Sequence, residues 1–328
     1  MIYLFINIIV DINLMNDTVY DYVIYHQFCS DGIASAWAIQ HNNNSNITKI
    51  GIKSGDIESL DIDQFIGKTI IFVDISPTIE QYRYLKTIVK FVSIIDHHDS
   101  SFENFIRYKV DDSTIVHRDF TSTIYIKIGI GACVLTWSKF SNLPCPWFLQ
   151  YIGDRDVWTF NLTDSKAINM ALYEKKLINC ESFTQLYSEN SDDIIEELAL
   201  YGSELLRDLK NKMDPYLQVA KCGTLIIQDN IYYVWTASCD QRLRSEIGNE
   251  LCTRDIVITE DNIRIQKPDF AIIWQKDPSS DNYWLSLRGI DRVDLNKISK
   301  QLDKNGGGHF NSSGCTVKNF DQMIDYFN

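Results

Sequence analysis

Two short runs of almost uninterrupted apolar residues, TIIFV at 69–73 and FVSII at 91–95, are the strongest pattern in the first half of the chain. Such runs are typical of strands that are buried on both faces of a sheet. The run DYVIY at 21–25 predicts a third strand. Helical patterns alternate with these runs at 78–89, around 131–140 and before Gly153. The alternation predicts an α/β fold over residues 21–190, with a parallel sheet and helices on both of its faces.

A long amphipathic pattern over 191–217 follows, with Ser191 as a candidate N-cap and acidic residues in the first turn. We interpret residues 191–218 as a helix that connects two domains, with a core-packing helix of the first domain as the alternative. The rest of the chain predicts a smaller α+β domain over 219–328. Its strand patterns lie at 224–228, 231–237, 269–275 and 282–289, and its helical patterns at 244–252 and 295–303.

The first ten residues, MIYLFINIIV, are apolar but do not have the pattern of a signal peptide. No basic residue precedes the run, because the first lysine is Lys49, and no small-residue cleavage site follows it. Ten residues are also too few to cross a bilayer. We expect residues 1–20 to form an N-terminal extension, with Met15 as an alternative start.

Composition limits the partners. The 328 residues are 45% hydrophobic and 23% charged, which is typical of a globular protein of two domains. The formal net charge of −13 argues against a broad basic face for long duplex nucleic acid, and no membrane partner is expected. Eight cysteines without a Cys-x-x-Cys pair favour reduced thiols and a cytoplasmic protein.

Acidic residues follow the predicted strands at the points where the strands end. Asp74 comes directly after TIIFV, Asp96 directly after FVSII, and Asp31 a short loop after DYVIY. Ligands of open parallel sheets bind outside the carboxyl ends of the strands. We therefore expect these carboxylates to meet at one edge of the sheet.

Histidines accompany these acids and indicate metal chemistry. Two-metal phosphoryl transfer requires several oxygen ligands and often an imidazole, with one carboxylate bridging the ions. The candidates are His26 with Asp31, then Asp74, then Asp96-His97-His98, then Asp154 and Asp156. His41 and His117 stand apart, and we interpret them as ordinary surface or core residues.

A second candidate binding site lies near the C-terminus, at Asn305-Gly306-Gly307-Gly308-His309. Glycines leave backbone N–H groups free to approach an anion closely. Arg288 precedes this turn at the end of a predicted strand, and its guanidinium can bind a phosphate through two hydrogen bonds. Taken alone, the glycine run is a weak signal.

Five segments in order resemble the motifs of the DHH–DHHA1 phosphoesterase superfamily. They are HQFCSDGIASA from residue 26, VDISP from 73, IIDHHDS from 94, YIGDRDVW from 151, and SLRGIDRVDLNKISKQLDKNGGGHFNSSG from 286. The superfamily includes RecJ-type nucleases, nano-RNases, cyclic-dinucleotide phosphodiesterases and exopolyphosphatases. The resemblance covers residues from about 21 to 315.

The resemblance implies a role for each matching residue. Asp74 would bridge two divalent ions, Mn²⁺ first and Mg²⁺ as the alternative. Asp31, His97 and Asp154 would complete the shell of one ion, and His26 would bind the other. Asp96 would orient the neighbouring histidine, and His98 would contact the phosphate or protonate the leaving group. The distal end of the substrate would be held by Arg288, Gly306, Gly307, Gly308 and His309.

The first motif departs from the Asp-x-Asp-Gly form of many superfamily members, because Cys29 stands where the first Asp would be. A thiolate ligand suits a softer ion than Mn²⁺. Asp156 is a stand-in ligand on this interpretation, although a supporting or capping role for it is favoured.

The leading hypothesis is a metal-dependent phosphoesterase that hydrolyses phosphodiester bonds of short oligonucleotides or small nucleotides in a cleft between the two domains. The alternatives are an exopolyphosphatase-type phosphoanhydride hydrolase and a degenerate member that binds nucleotides or RNA without hydrolysis. The expected partner is a short phosphorylated substrate, and the sequence leaves a homodimer open.

Overall fold

The computed structural model of the chain describes residues 15, 18–43, 46–189, 191–258 and 264–327. Two compact units divide the chain between Arg207 and Asp208. The predicted extension over residues 1–20 lies mostly outside the described part, but Met15 is buried in a core cluster with Tyr20 and Val23. None of the described helices is long and apolar enough to cross a membrane.

The first unit is an α/β layer structure. Its strands are β1 (Tyr22–His26), β2 (Thr48–Ile52), β3 (Thr69–Val73), β4 (Phe91–Asp96), β5 (Lys109–Asp111), β6 (Thr114–Arg118) and β7 (Ser122–Lys127). Its helices are α1 (Ser30–Asn42), α2 (Ile79–Ile88), α3 (Asp99–Asn104), α4 (Ala132–Phe140), α5 (Trp147–Asp156), α6 (Ser165–Glu174) and α7 (Cys180–Ser188). Short 3-10 helices lie at Ser54–Ser59, Asp63–Phe65 and Ile106–Tyr108.

The seven strands of this unit form one sheet in the order β2-β1-β3-β4-β7-β6-β5. Strands β2, β1, β3, β4 and β7 pair in parallel, whereas β6 and β5 extend the edge antiparallel. The predicted parallel α/β sheet is therefore confirmed, with an antiparallel edge that the apolar pattern did not indicate.

Helices cover both faces of this sheet because alternate residues of its buried strands point to opposite sides. Ile70 and Phe72 of β3 pack in a core with Leu85 of α2. Their neighbours Ile71 and Val73 pack on the other face, in a cluster with side chains of α1 and α4. This double burial explains why residues 70–73 of TIIFV are apolar at four consecutive positions.

The long predicted helix is α8 (Ser191–Gln218), and it contributes to both units. Leu198 lies in a core cluster of the first unit. Met213 and Leu217 lie in a core cluster of the second unit.

The second unit has a mixed, mostly antiparallel sheet in the order β14-β15-β13-β12-β9-β8-β16. Its strands are β8 (Lys221–Ile227), β9 (Asn230–Ser238), β12 (Phe270–Lys276), β13 (Asn282–Arg288), β14 (Gly307–His309), β15 (Ser312–Lys318) and β16 (Ile324–Tyr326). A separate two-stranded sheet pairs β10 (Ile256–Ile258) with β11 (Arg264–Gln266). The helices are α9 (Arg244–Thr253) and α10 (Leu295–Leu302), with 3-10 turns at Gln241–Leu243 and Phe320–Gln322. This is the predicted α+β architecture.

Candidate metal centre

Three neighbouring parallel strands deliver the candidate ligands to one edge of the first sheet. Strand β1 ends at His26, β3 is followed by Asp74, and β4 ends at Asp96 and is followed by His97 and His98. Because β1, β3 and β4 are adjacent and parallel, their carboxyl ends share that edge. The structure therefore brings together residues that lie far apart in the sequence.

Asp74 lies at the centre of the cluster. Its side chain is 1% exposed, with Oδ1 3.1 Å from His97 Nε2 and Oδ2 3.4 Å from His26 Nδ1. The residue has a left-handed backbone conformation, with φ of 57°, directly after the strand. Such backbone strain persists where surrounding structure holds it and often occurs at functional sites.

Asp96 holds the two histidines of the third motif in place. Its Oδ1 accepts hydrogen bonds from the backbone N–H of His97 at 2.7 Å and from Nδ1 of His98 at 2.7 Å. Its Oδ2 accepts the hydroxyls of Ser76 and Ser101, each at 2.6 Å. These two serines were not among the predicted site residues, and their positions in VDISP and in DHHDSS are the signal that could have found them.

Asp31 lies under the same cluster and is fully buried. Its two oxygens accept the backbone N–H groups of Ala132 and Cys133 at 2.6 and 2.8 Å, at the start of α4. A helix N-terminus favours a negative charge at this position. Asp31 Oδ2 also lies 3.6 Å from Nε2 of His97, so the carboxylate contacts both the helix and the cluster.

The structure places Asp156 in the cluster and keeps Asp154 out of it. Asp156 Oδ2 lies 3.2 Å from His97 Nε2, and Asp31, His97 and Asp156 have ligand atoms within 4.8 Å of one another. Asp154 instead accepts hydrogen bonds from Thr159 Oγ1 at 2.6 Å and from the N–H of Asn161 at 2.8 Å. These contacts favour Asp156 over Asp154 as a ligand, which reverses the sequence-based assignment of Asp154 as the ligand and of Asp156 to a supporting or capping role.

Cys29 also contacts the cluster. Its Sγ lies 3.8 Å from Oδ1 of Asp156, and ligand atoms of His26, Cys29 and Asp74 lie within 4.8 Å of one another. Burial raises the pKa of this thiol well above its usual range, and the negative charges of Asp74, Asp156 and Asp31 raise it further.

The electrostatics of the cluster favour a bound cation. Burial, together with the charge of Asp74, raises the pKa of Asp31 to about 7. Burial opposes ionisation of Asp74 as well, but the neighbouring imidazoles of His26 and His97 hold its pKa well below the usual range. Burial would lower the pKa of His97, yet Asp156 and Asp74 raise it well above the usual range. Protonated His97 is thus one way to neutralise the carboxylates, and a divalent ion is the other.

The donor set fits divalent metal ions. Oδ2 of Asp74 is buried and, among the described residues, lies 3.4 Å from His26 Nδ1 but accepts no hydrogen bond, which is costly unless a cation binds there. The side chains of His26, His98 and Asp156 are 24%, 20% and 24% exposed, so the cluster is open to solvent through these residues. Carboxylate oxygens and imidazole nitrogens are ligands that Mn²⁺ and related ions accept.

In the second unit, Arg288 ends β13 with its guanidinium held by serines. Its Nη1 donates to Ser286 Oγ at 2.8 Å, and its Nη2 donates to Ser245 Oγ at 2.9 Å. Burial, with a further effect from Arg244, lowers the pKa of Arg288 to about 10. Among the described residues, no carboxylate forms an ion pair with this guanidinium, which leaves its charge to attract an anion.

The glycine segment lies in the same sheet as Arg288, on the other side of β15. Gly307, Gly308 and His309 form β14, and Ser312 of β15 is paired with both His309 and Arg288. Directly paired residues of antiparallel strands point to the same face, so the three side chains share one face. Gly308 has φ of +146°, and a Cβ there would lie 2.4 Å from Ser312 O, so no side chain fits. Ser312 was missed because nothing in the sequence fixes this register.

Comparison with known proteins gives a relative and several similar structures. No protein-family model matches the chain. It is 25% identical over 324 residues to an uncharacterised protein of Acanthamoeba polyphaga mimivirus, a match that covers 92% of this chain and 68% of that protein.

Two of the similar structures are enzymes of the DHH superfamily. PggH, a pGpG-specific phosphodiesterase from Vibrio cholerae, has 13% identity and a TM-score of 0.44, with 92% of this chain and 95% of PggH covered. RecJ from Thermus thermophilus, in complex with Mn²⁺, has 10% identity and a TM-score of 0.46, with 92% of this chain and 50% of RecJ covered. The chain is thus similar to both proteins over more than nine-tenths of its length.

Proposed function

We propose that the protein is a metal-dependent phosphoesterase that hydrolyses phosphodiester bonds of short oligonucleotides or small nucleotides. The observation that supports this most is the position of Asp74. Its buried carboxylate lies between His26 and His97, and one of its oxygens has no hydrogen-bond partner. A carboxylate in this position is suited to bridge two divalent ions.

The proposed ligands form two groups that share Asp74. Asp31, His97 and Asp156 would complete one ion's shell, with Asp156 replacing the Asp154 of the sequence-based assignment, and His26 would bind the other ion. When bound, Mn²⁺ or Mg²⁺ ions supply Lewis-acid activation of water and neutralise charge on the phosphate. The chain's own carboxylates would position these ions, and their negative charge favours cations at this edge of the sheet.

His98 is the proposed proton donor to the leaving group. Its Nδ1 is bonded to Asp96 Oδ1, which fixes the orientation of the ring and favours the proton on the imidazole. Burial would lower the pKa of His98, but the charge of Asp96 and its hydrogen bond raise it. Asp96 is in turn fixed by Ser76 and Ser101, so the ring is held before substrate binds.

The second unit supplies a proposed anion site for the rest of the substrate. Arg288 is half-buried and, among the described residues, has no carboxylate partner. Gly307, Gly308 and His309 lie in β14, on the other side of β15 from Arg288, and Gly306 directly precedes β14. Such a local site suits a protein of net charge −13, whose surface as a whole repels polyanions. Short substrates are therefore favoured over long duplexes.

A substrate screen with the full chain tests the proposal. Purified protein would be incubated with Mn²⁺ or Mg²⁺ and a linear dinucleotide, a cyclic dinucleotide or polyphosphate, with Asp74→Ala as the control for contaminating activity. Metal-dependent release of mononucleotide by the wild type alone would support the proposal. Release of phosphate from polyphosphate alone would replace it with the phosphoanhydride alternative. Metal binding without hydrolysis of any of the three would indicate a non-catalytic binding protein.

A further inference from the structure

Cys29 occupies the position before the first residue of α1, where a side chain usually caps the helix. Ser, Thr, Asp and Asn are preferred there because their oxygens accept backbone N–H groups. Cys29 makes no such capping bond. Its Sγ lies 3.8 Å from Asp156 Oδ1 instead, and its ligand atom is within 4.8 Å of those of His26 and Asp74.

The surroundings of Cys29 differ from those of an ordinary buried thiol. Asp74 belongs to the same ligand group, and its buried Oδ2, 3.4 Å from His26 Nδ1, accepts no hydrogen bond from any described residue. The thiol also lies at the N-terminus of the 13-residue helix α1, among carboxylates that raise its pKa, so its sulfur becomes a thiolate only together with a bound cation. A nitrogen donor of His26, the sulfur of Cys29 and an oxygen of Asp74 thus lie within 4.8 Å of one another.

We propose that Cys29 is a thiolate ligand of one metal position, with His26 and Asp74, so that this position selects a thiophilic divalent ion such as Co²⁺ or Zn²⁺ over Mn²⁺. On binding, the S–H bond breaks, the proton passes to solvent and a sulfur–metal bond forms, with no change in oxidation state. Asp31, His97 and Asp156 supply only oxygen and nitrogen, so the second position accepts Mn²⁺ or Mg²⁺. This inference rests on the proposed metal centre and adds the identity of its ions.

Absorption spectroscopy with Co²⁺ as the probe tests the ligand directly, without reference to activity. Metal-free full-length protein, kept reduced with a phosphine, would be titrated with Co²⁺ while the near-ultraviolet thiolate-to-cobalt charge-transfer band is recorded. We expect the band in the wild type and in Cys145→Ser, a half-buried thiol of the same unit outside the ligand groups. We expect no band in Cys29→Ser or in Cys29→Asp.

Metal competition gives a second readout. Loss of an outer-shell partner alone lowers metal affinity about 10–100-fold, so Cys29→Ser should lower Co²⁺ affinity at this position by at least about tenfold. Cys29→Asp places an oxygen ligand at this position and should still bind two ions. Compared with the wild type, about tenfold less Mn²⁺ should be needed to displace Co²⁺ from this variant. If Cys29→Ser does not fold, as judged by circular dichroism, the comparison of wild type with Cys29→Asp decides the question.

Two results would overturn the inference: a Co²⁺-saturated wild type without the band, or a band that survives in Cys29→Ser. Either of these, combined with Mn²⁺-dependent hydrolysis of a dinucleotide, would leave the proposed function intact and remove only the thiolate ligand. Failure of the wild type to bind Co²⁺ or Mn²⁺ at all would remove both.

Discussion

Two aspartates of α5 lie two residues apart and have different surroundings because of the helical repeat. Leu149, Ile152 and Gly153 face the interior. Asp156 lies seven, four and three residues after them, which are the spacings that keep residues on one face of a helix. Asp154 is about 200° of helical rotation away from Asp156, since successive residues differ by about 100°. It therefore points toward the following loop.

This difference predicts opposite phenotypes for the two alanine variants. Asp156→Ala should lower Mn²⁺ affinity by at least about tenfold with little change in stability, because it removes a proposed ligand. Asp154→Ala should leave Mn²⁺ affinity unchanged and lower the free energy of unfolding by about 1–2 kcal/mol, because Thr159 and Asn161 lose their acceptor. Mn²⁺ titration and urea unfolding measure the two effects. Equal loss of Mn²⁺ affinity in both variants would contradict the assignment.

Asp74 and His98 give a second contrast at the residue scale. Asp74→Ala should abolish hydrolysis and reduce bound metal, because a bridging carboxylate binds both ions. His98→Ala should lower kcat about 10²–10⁴-fold with bound metal near normal, as expected for a general acid. Metal content by mass spectrometry and kcat on a dinucleotide are the measurements. Loss of metal to the same extent in His98→Ala would show that this histidine is a ligand.

The residues that the sequence located are those whose position follows from where a strand ends. Asp74 and Asp96 could be placed because the apolar runs before them have the length of a buried strand. Asp156 could not be chosen over Asp154 because the motif marks a segment, whereas the phase of a helix depends on its packing. Ser76 and Ser101 were not predicted, because no sequence pattern marks a serine whose hydroxyl binds a carboxylate from another element.

At the scale of elements, α8 and α6 approach each other closely at Gly202. A Cβ on this residue would lie 1.8 Å from the carbonyl oxygen of Ala167, so the helix backbones meet without room for a methyl group. Gly202→Ala should therefore lower the free energy of unfolding by about 1–3 kcal/mol, the usual cost of overpacking. Ser203→Ala, the next and exposed position, should change it by less than about 0.5 kcal/mol. Thermal or urea unfolding distinguishes them, and equal stability of the two variants would be incompatible with this contact.

Short strands at sheet edges were among the elements that sequence reasoning did not find. β2 and β5 have mostly exposed or half-buried residues, so no apolar run marks them. β14 is made of two glycines and a histidine, residues with little strand preference, and it exists because β15 pairs with it. Their formation depends on neighbours distant in sequence, which local pattern does not show.

The turn between β6 and β7 contains a carboxylate whose effect depends on pH. Asp119 Oδ1 accepts the N–H of Thr121 at 2.9 Å and the hydroxyl of Ser122 at 3.0 Å, and Oδ2 pairs with Lys86. Partial burial opposes ionisation, but Lys86 and the turn's donors hold the pKa of Asp119 well below its ordinary value of 3.8.

Because the folded pKa is depressed, Asp119 stabilises the native state above its unfolded pKa, and this contribution is lost as pH falls below about 4. Asp119→Ala should therefore lower the free energy of unfolding by about 1–2 kcal/mol at pH 7. The difference between wild type and variant should shrink steadily as pH is lowered from 5 toward 3. Urea unfolding at several pH values tests this, and a difference that grows on acidification would refute it.

At the scale of the whole molecule, each unit has its own core and its own candidate binding groups. The first unit collects carboxylates and imidazoles at one sheet edge, where divalent cations can bind. The second holds Arg288 without a carboxylate partner among the described residues.

The composition predicted two domains, and the boundary between the units falls inside the helix that the sequence suggested as a connector. No pattern along the chain could show that Arg288, Ser312 and His309 share one face, since that depends on the register of β13, β15 and β14.

The division of charge predicts that Arg288 acts on substrate selection more than on the reacting phosphate. A hydrogen bond to a charged group contributes about 1.5–3 kcal/mol, which corresponds to roughly 10–100-fold. Arg288→Ala should therefore lower kcat/KM for a dinucleotide about 10–100-fold. A minimal aryl phosphodiester has no second phosphate or base, so its hydrolysis should change little. Steady-state kinetics on both substrates with Mn²⁺ measures the split.

Arg242→Ala is the matched control, because it removes the same charge from the same unit at a side chain that is 86% exposed and already paired with Asp240. It should leave both substrates unaffected, since an exposed ion pair contributes little. Arg288 also bonds Ser245 and Ser286, so its loss could disturb the sheet end itself. Arg288→Lys separates the two effects, because lysine retains the charge but not the planar, two-bonded geometry. If Arg288→Ala lowers kcat/KM equally for both substrates, Arg288 supports the fold or contacts the reacting phosphate. The proposal that the second unit selects the substrate would then have to be abandoned.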